Sequence, residues 1–190
     1  MYENIYVNHN WLSEVRDLLQ KLGLAYVWEN QYIENKTHFL ATFLQLLTDS
    51  FIQEMYSYFD NSPKCMLYKH LPDSFCLQYF LRKGLPENFM TILSKFRTSS
   101  HELLIEKGRY SNTERSHRKC EKCDTNDIED EFHFVLSCPL YSDLRKKYIK
   151  CYYWRRPSMF KLVQLFSVRN RKTLCNLSRY LINALLLRNS

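Results

Sequence analysis

Glycine and proline are scarce in this chain, with three and five residues among 190. So few chain breakers argue against many short strands joined by tight turns and favour long helices. No apolar stretch approaches the ~18–20 residues of a membrane span. The longest candidate, around Leu185–Leu187, stops at Arg188. The amino terminus, MYENIYVNHNWL, has neither a basic start nor an apolar run, so it does not read as a signal peptide. An intracellular location, nucleus or cytoplasm, is therefore expected, without membrane contact. Seven cysteines, an odd number, fit free thiols in a reducing compartment better than a disulfide framework.

Acidic residues are missing from one region altogether. None follows Asp143, whereas Arg145, Lys146, Lys147, Lys150, Arg155, Arg156, Lys161, Arg169, Arg171, Lys172, Arg179 and Arg188 all do. Residues 1–99 hold 9 basic and 10 acidic side chains; residues 100–190 hold 18 and 10. The net charge of +7 thus resides in the second half. A one-sided positive field attracts polyanions such as RNA, DNA or an acidic membrane surface.

What is present is mostly helical periodicity. Asn10 can cap a helix through Leu22, with Trp11, Leu12, Val15, Leu18, Leu19 and Leu22 on one face and Gly23 after its end. A longer helix is predicted from about Thr37 to Tyr58, carrying Phe39, Leu40, Phe43, Leu46, Leu47, Ile52, Met55 and Tyr56. Asp60-Asn61-Ser62-Pro63 reads as a stop and a new start, with Ser62 as cap. Short helices are expected near 63–70 and 74–82, and Pro86 opens another bearing Phe89, Ile92, Leu93 and Phe96. Ser100 can cap a helix through Leu103–Lys107, and Pro139 starts one with Leu140, Leu144 and Tyr148. Ser158 can cap a helix carrying Phe160, Leu162, Val163, Leu165 and Phe166, and the last helix spans about Lys172 to Leu187.

Within this pattern stands Cys120-x2-Cys123-x9-His133-x4-Cys138. A Cys-x2-Cys pair supplies two tetrahedral ligands from one tight turn, and a later His and Cys supply the others. Four protein ligands close the site, which marks one structural zinc rather than a catalytic one. The acidic run Asp124–Glu131 suits the first turn of a short helix, with Phe132, Phe134, Val135 and Leu136 packed about the metal. Lys119 and Lys122 flank the thiolates. Cys65, Cys76 and Cys175 read as buried thiols, Cys151 is less defined, and His117 is a weaker competitor for the metal.

These readings give a mainly α protein: an irregular helical bundle with a small zinc-knuckle insertion and a C-terminal basic helical segment. Its expected regions are 1–98, helical; 99–150, linker and knuckle; and 151–190, basic helices.

The runs Cys120-Glu-Lys-Cys123, Ile128-Glu-Asp-Glu-Phe-His133-Phe-Val-Leu-Ser-Cys138-Pro-Leu-Tyr141 and Arg145-Lys-Lys-Tyr148-Ile149 resemble the zinc knuckle at the C-terminal end of reverse transcriptases from non-LTR (LINE-type) retrotransposons. The upstream stretch Phe96–Tyr110 is similar to the segment preceding that knuckle, and Asn10–Ile52 resembles the region after the polymerase thumb. The resemblance implies a module that helps a reverse transcriptase grip RNA or DNA, with the polymerase domain as a possible partner. No Tyr/Phe-x-Asp-Asp signature for catalytic magnesium accompanies it, so polymerase activity is not implied and a non-catalytic role is expected.

The candidate nucleic-acid contacts are Arg97, Arg109, Lys119, Lys122, Arg145, Lys146, Lys147, Lys150, Trp154, Arg155 and Arg156, with Tyr152 and Tyr153 interleaved for stacking on unpaired RNA or single-stranded DNA bases. The alternative is a zinc-stabilised helical scaffold that docks on a protein such as the polymerase, through aromatics including Tyr2, Tyr6, Tyr26 and Trp28. A His101–Glu106 acid–base pair is the only catalytic grouping the sequence offers, and no nucleophile accompanies it.

Overall fold

The computed structural model describes residues 10–62, 64, 66–71 and 77–190. The expectations placed on Tyr2, Tyr6, Pro63, Cys65 and Cys76 lie outside these residues. The fold is mainly α, and no β-strand forms among the described residues. Nine α-helices are described: α1 (Trp11–Lys21), α2 (Ala25–Asn30), α3 (Lys36–Asn61), α4 (Glu87–Arg97), α5 (Leu104–Tyr110), α6 (Ser142–Tyr148), α7 (Cys151–Trp154), α8 (Met159–Phe166) and α9 (Arg171–Asn189). Short 3-10 turns cover Tyr68–His70, Tyr79–Lys83, Arg115–His117 and Pro139–Tyr141. No described helix is long and apolar enough to cross a membrane.

Two compact units divide at Tyr58/Phe59, so the sequence boundaries at 98 and 150 both fall inside the second unit. In the first unit, Asn10 caps α1 as expected: its Oδ1 accepts from Ser13 N–H at 3.1 Å while the Ser13 hydroxyl sits on the Asn10 backbone. Gly23 follows with φ of +73°, a conformation that favours glycine. The core is small. Leu19, Leu22, Leu24 and Val27 are buried, with Trp28, Ile33, Phe39, Phe43 and Leu46 against them. Trp11, expected on the apolar stripe of α1, is instead exposed.

The second unit, Phe59–Ser190, holds the larger core. α9 packs against α4, α6 and the Tyr79–Lys83 turn. Ser158 and Asn170 cap α8 and α9 through Lys161 N–H and Thr173 N–H. At the centre, Phe96 on α4 stacks on Phe134 at 5.5 Å between ring centroids. Phe134 also meets Tyr141 at 4.6 Å, and the Tyr180 hydroxyl on α9 donates to the Phe134 carbonyl at 2.7 Å.

Phe134 is the residue after the candidate ligand His133. The Cys/His segment of the irregular helical bundle is therefore packed into its core. Phe134, Val135, Leu136 and Cys138 are almost fully buried and belong to the core itself. A stretch this apolar gains more from burial among α4, α8 and α9 than it would as a metal-wrapped loop at the surface.

α5 starts differently from expectation too. Ser100 does not cap it. Its first N–H groups are met from the metal segment: Leu104 N–H donates to Glu129 Oε2 at 2.7 Å and Ile105 N–H to the Glu129 carbonyl at 3.1 Å. Arg118 ties down the same helix and the turn after it, donating to the Ile105 carbonyl of α5 and to the Thr113 carbonyl beyond its end at 2.7–2.9 Å. Gly108 makes room for that side chain, since a Cβ there would lie 2.6 Å from Arg118 Cγ.

Candidate metal centre

Two short backbone devices bring the four ligands together. The first is a hairpin-like turn. Cys120 N–H donates to the Asp127 carbonyl at 2.8 Å, Glu129 N–H to the Arg118 carbonyl at 2.9 Å, and Lys119 pairs antiparallel with Ile128. Asn126 takes the left-handed conformation, φ 61°, that reverses the chain.

The second device is a π-type turn over His133–Ser137. Asp130 Oδ1 accepts from His133 N–H at 2.9 Å to start it, and Cys138 N–H donates to the His133 carbonyl at 2.7 Å to close it. In an α-helix, residues five apart stand roughly 140° apart around the axis. The wider i to i+5 closure swings Cys138 back towards the face of His133.

Cys120, Cys123, His133 and Cys138 each contribute one donor atom, and these atoms lie within 4.8 Å of one another. Cys123 Sγ and His133 Nε2 are 3.3 Å apart. A tetrahedral site with metal–sulfur and metal–nitrogen bonds of ordinary zinc length would set them about 3.5 Å apart. The three-sulfur, one-nitrogen set therefore fits a single metal ion and is compatible with one structural zinc. His117, the weaker competitor, is exposed and lies 3.8 Å from Glu114.

The electrostatics match a cation-dependent cluster. Burial pushes the Cys120 thiol pKa up, and pushes that of Cys138 up to about 12. Burial acts on Cys123 in the same direction, but hydrogen bonds from Thr125 outweigh it and leave that thiol below its ordinary range. Burial lowers the His133 pKa, which favours the neutral imidazole a metal requires. Its Nδ1 is buried without a hydrogen-bond partner. The nearest carboxylate oxygen, Asp127 Oδ2, stands 3.4 Å away, close enough for Coulombic attraction but not for a well-formed hydrogen bond.

These thiols set the sign of the pH dependence. Cys120 and Cys138, both pushed above the usual thiol range, carry protons at neutral pH in the metal-free protein and must lose them to bind metal. Zinc binding at pH 7 is expected to release at least two protons, and affinity is expected to fall as pH falls. Calorimetric titration in buffers of different ionisation enthalpy measures the release; a buffer-independent heat would contradict it.

The structure divides the predicted nucleic-acid residues. Lys119, Lys122, Lys146, Lys147, Lys150, Arg155 and Arg156 are exposed. Arg97 and Arg145 are not, and both leave the candidate basic surface. Arg97 reaches the Phe166 carbonyl and Gln78 Oε1 and lies 5.1 Å from the centre of the Phe80 ring, with burial pushing its pKa down to about 10. Arg145 donates through Nε to the Val135 carbonyl at 3.0 Å and through Nη2 to the Cys138 carbonyl, bracing the π turn beneath the ligands. Arg109 is half-buried and pairs with Glu106 at 2.8 Å. Trp154 is half-buried and donates to the Ile149 carbonyl at 3.0 Å, and Tyr153 is buried, whereas Tyr152 is exposed.

The sequence reading also missed two supporting ion pairs. His101 pairs with Glu131 at 2.9 Å, not with Glu106, and Ser99 donates to the same carboxylate oxygen at 2.8 Å. Glu129 is held by Arg188 through two bonds of 2.6 and 2.7 Å. The acidic composition of residues 124–131 hinted at their importance, but no local spacing linked them to His101 or Arg188.

Comparisons with protein-family models, curated proteins and solved structures find no match to this chain.

Proposed function

We propose that this chain is a non-catalytic nucleic-acid-binding module organised around one structural zinc, of the kind found at the C-terminal end of LINE-type reverse transcriptases. The retroelement origin rests on the motif resemblance. The binding reading rests chiefly on one observation. Lys147, Lys150, Arg155 and Arg156 are exposed within ten residues of one another, with exposed Tyr152 among them and no acidic side chain beyond Asp143. Cations meet phosphates there, and an exposed ring among them can stack on an unpaired base. The metal ligands, held in the core immediately before these residues, fix α6 and α7 without taking part in chemistry.

Affinity for single-stranded RNA is expected to fall with salt by about 0.7 log units per tenfold increase for each phosphate contact. Lys147→Gln with Lys150→Gln should lower that slope by about 1.4 and weaken all sequences alike. Fluorescence anisotropy across a salt series measures both. Salt-independent binding, or no binding by a zinc-loaded folded protein, would reject the reading.

A further inference from the structure

α3 carries apolar side chains on two faces. Phe39, Phe43 and Leu46 pack into the core of the first unit. Leu40, Leu44, Leu47 and Phe51 form a second row, turned roughly 90° around the helix from the first at 100° per residue. They are 56, 59, 37 and 53% exposed. Their spacing of four, three and four residues is the a/d repeat by which one helix seats against another.

We infer that this row is a homodimer interface, in which α3 packs antiparallel against α3 of a second copy of this chain. Three observations select that occupant. First, the row is self-complementary. A two-fold axis between Leu44 and Leu47 places Leu40 against Phe51 of the second copy and Leu44 against its Leu47, so every apolar side chain meets another. Second, the positions flanking the row are Ala41 and Thr48 on one side and Phe43 and Ser50 on the other. No charge repels an identical surface there, and none forms a pattern for a differently charged protein to read. Asp49 lies on the far face, hydrogen-bonded by Gln45 at 3.0 Å.

Third, the charge at the end of the row decides the direction. Glu54 occupies the next position of the repeat and is paired with Lys21 of its own chain. A parallel pair would bring two Glu54 carboxylates together. The antiparallel pair leaves them outside the contact.

The four side chains expose on the order of 400 Å² per copy, or about 800 Å² for a pair before neighbouring residues are counted, which is the scale of a weak, concentration-dependent interface. Per copy this matches the roughly 300–600 Å² of the largest apolar patch on a typical monomer, a patch that is often functional. The inference is independent of the metal and nucleic-acid readings, because all of these residues belong to the first unit.

Sedimentation velocity on the full chain from about 5 to about 200 µM tests it. The weight-average mass should climb towards twice the chain mass. Leu44→Glu alone and Leu47→Lys alone should each stay monomeric with unchanged helical circular dichroism, since both side chains face solvent in the monomer. Mixing the two variants should restore the doubled mass, because residue 44 of one copy then faces residue 47 of the other. Three results would each overturn the inference: a wild-type chain that stays monomeric throughout, a dimer that Leu44→Glu leaves intact, or variants that stay monomeric when mixed.

Discussion

With zinc held by Cys120, Cys123, His133 and Cys138 as proposed, stripping the metal is expected to unfold the whole of Phe59–Ser190, not merely loosen the segment that carries these residues. Binding of a structural zinc is worth about 10–16 kcal/mol in small peptides. That is as large as the roughly 5–15 kcal/mol total stability of an ordinary domain. Here Cys138 has no soft surroundings in which to relax. Cys138 and the run Phe134–Leu136 are within 1% of full burial, and Phe134 carries the stack with Phe96 and the bond from Tyr180. Three clustered sulfurs without a cation would have to remain packed against that core. Cys138→Ser should therefore lose both zinc and the cooperative thermal transition of the second unit. Metal analysis alongside near-ultraviolet circular dichroism, before and after chelation, measures this. A metal-free protein that kept its near-ultraviolet spectrum and melting temperature would refute it.

The second large effect is expected at Arg188. Its guanidinium is bound twice by Glu129, a carboxylate whose side chain is only 1% exposed. That carboxylate holds the Arg188 pKa above its ordinary range. The same Glu129 caps α5 through Leu104 N–H, so a single side chain joins the metal segment, α5 and the end of α9. Arg188→Leu would leave a buried carboxylate with only its bond from Leu104, which should cost about 3–5 kcal/mol. Pairing it with Glu129→Leu removes the stranded charge and should recover part of that loss, less the cap on α5. Urea denaturation of the two single variants and the double variant gives the coupling directly. A cost below about 1 kcal/mol for Arg188→Leu would show the pair to be incidental.

The second expectation concerns a residue whose role was hidden in the linear chain. Arg97, Arg145 and Arg188 look like their exposed neighbours in composition, and a basic tail reads as one continuous surface. Two of its apparent members are instead consumed inside, Arg145 by the carbonyls of Val135 and Cys138 and Arg188 by Glu129, and upstream Arg97 is likewise taken up by the Phe166 carbonyl. Counting charges measures the field outside the protein only after such internal pairs are removed. Likewise Trp154, the most conspicuous ring in the basic segment, is half-buried at the helix junction, while the less conspicuous Tyr152 is exposed.

What the chain determines by itself is local. The caps at Asn10 and Ser158, the turn at Gly23, the extents of α3, α8 and α9, and the spacing of Cys120, Cys123, His133 and Cys138 all depend on groups within a few residues of one another. Hydrogen-bond closure and helical periodicity act over that range, so residue order is enough to show them. Tertiary structure decided the rest: that the metal segment forms the centre of a core, that α5 is capped from residue 129, and that Arg188 reaches Glu129 across 59 positions. The reason is that burying an apolar run such as Phe134–Leu136 dictates which distant polar groups are carried inside with it. Each of those groups must then find a partner wherever the packing has placed one.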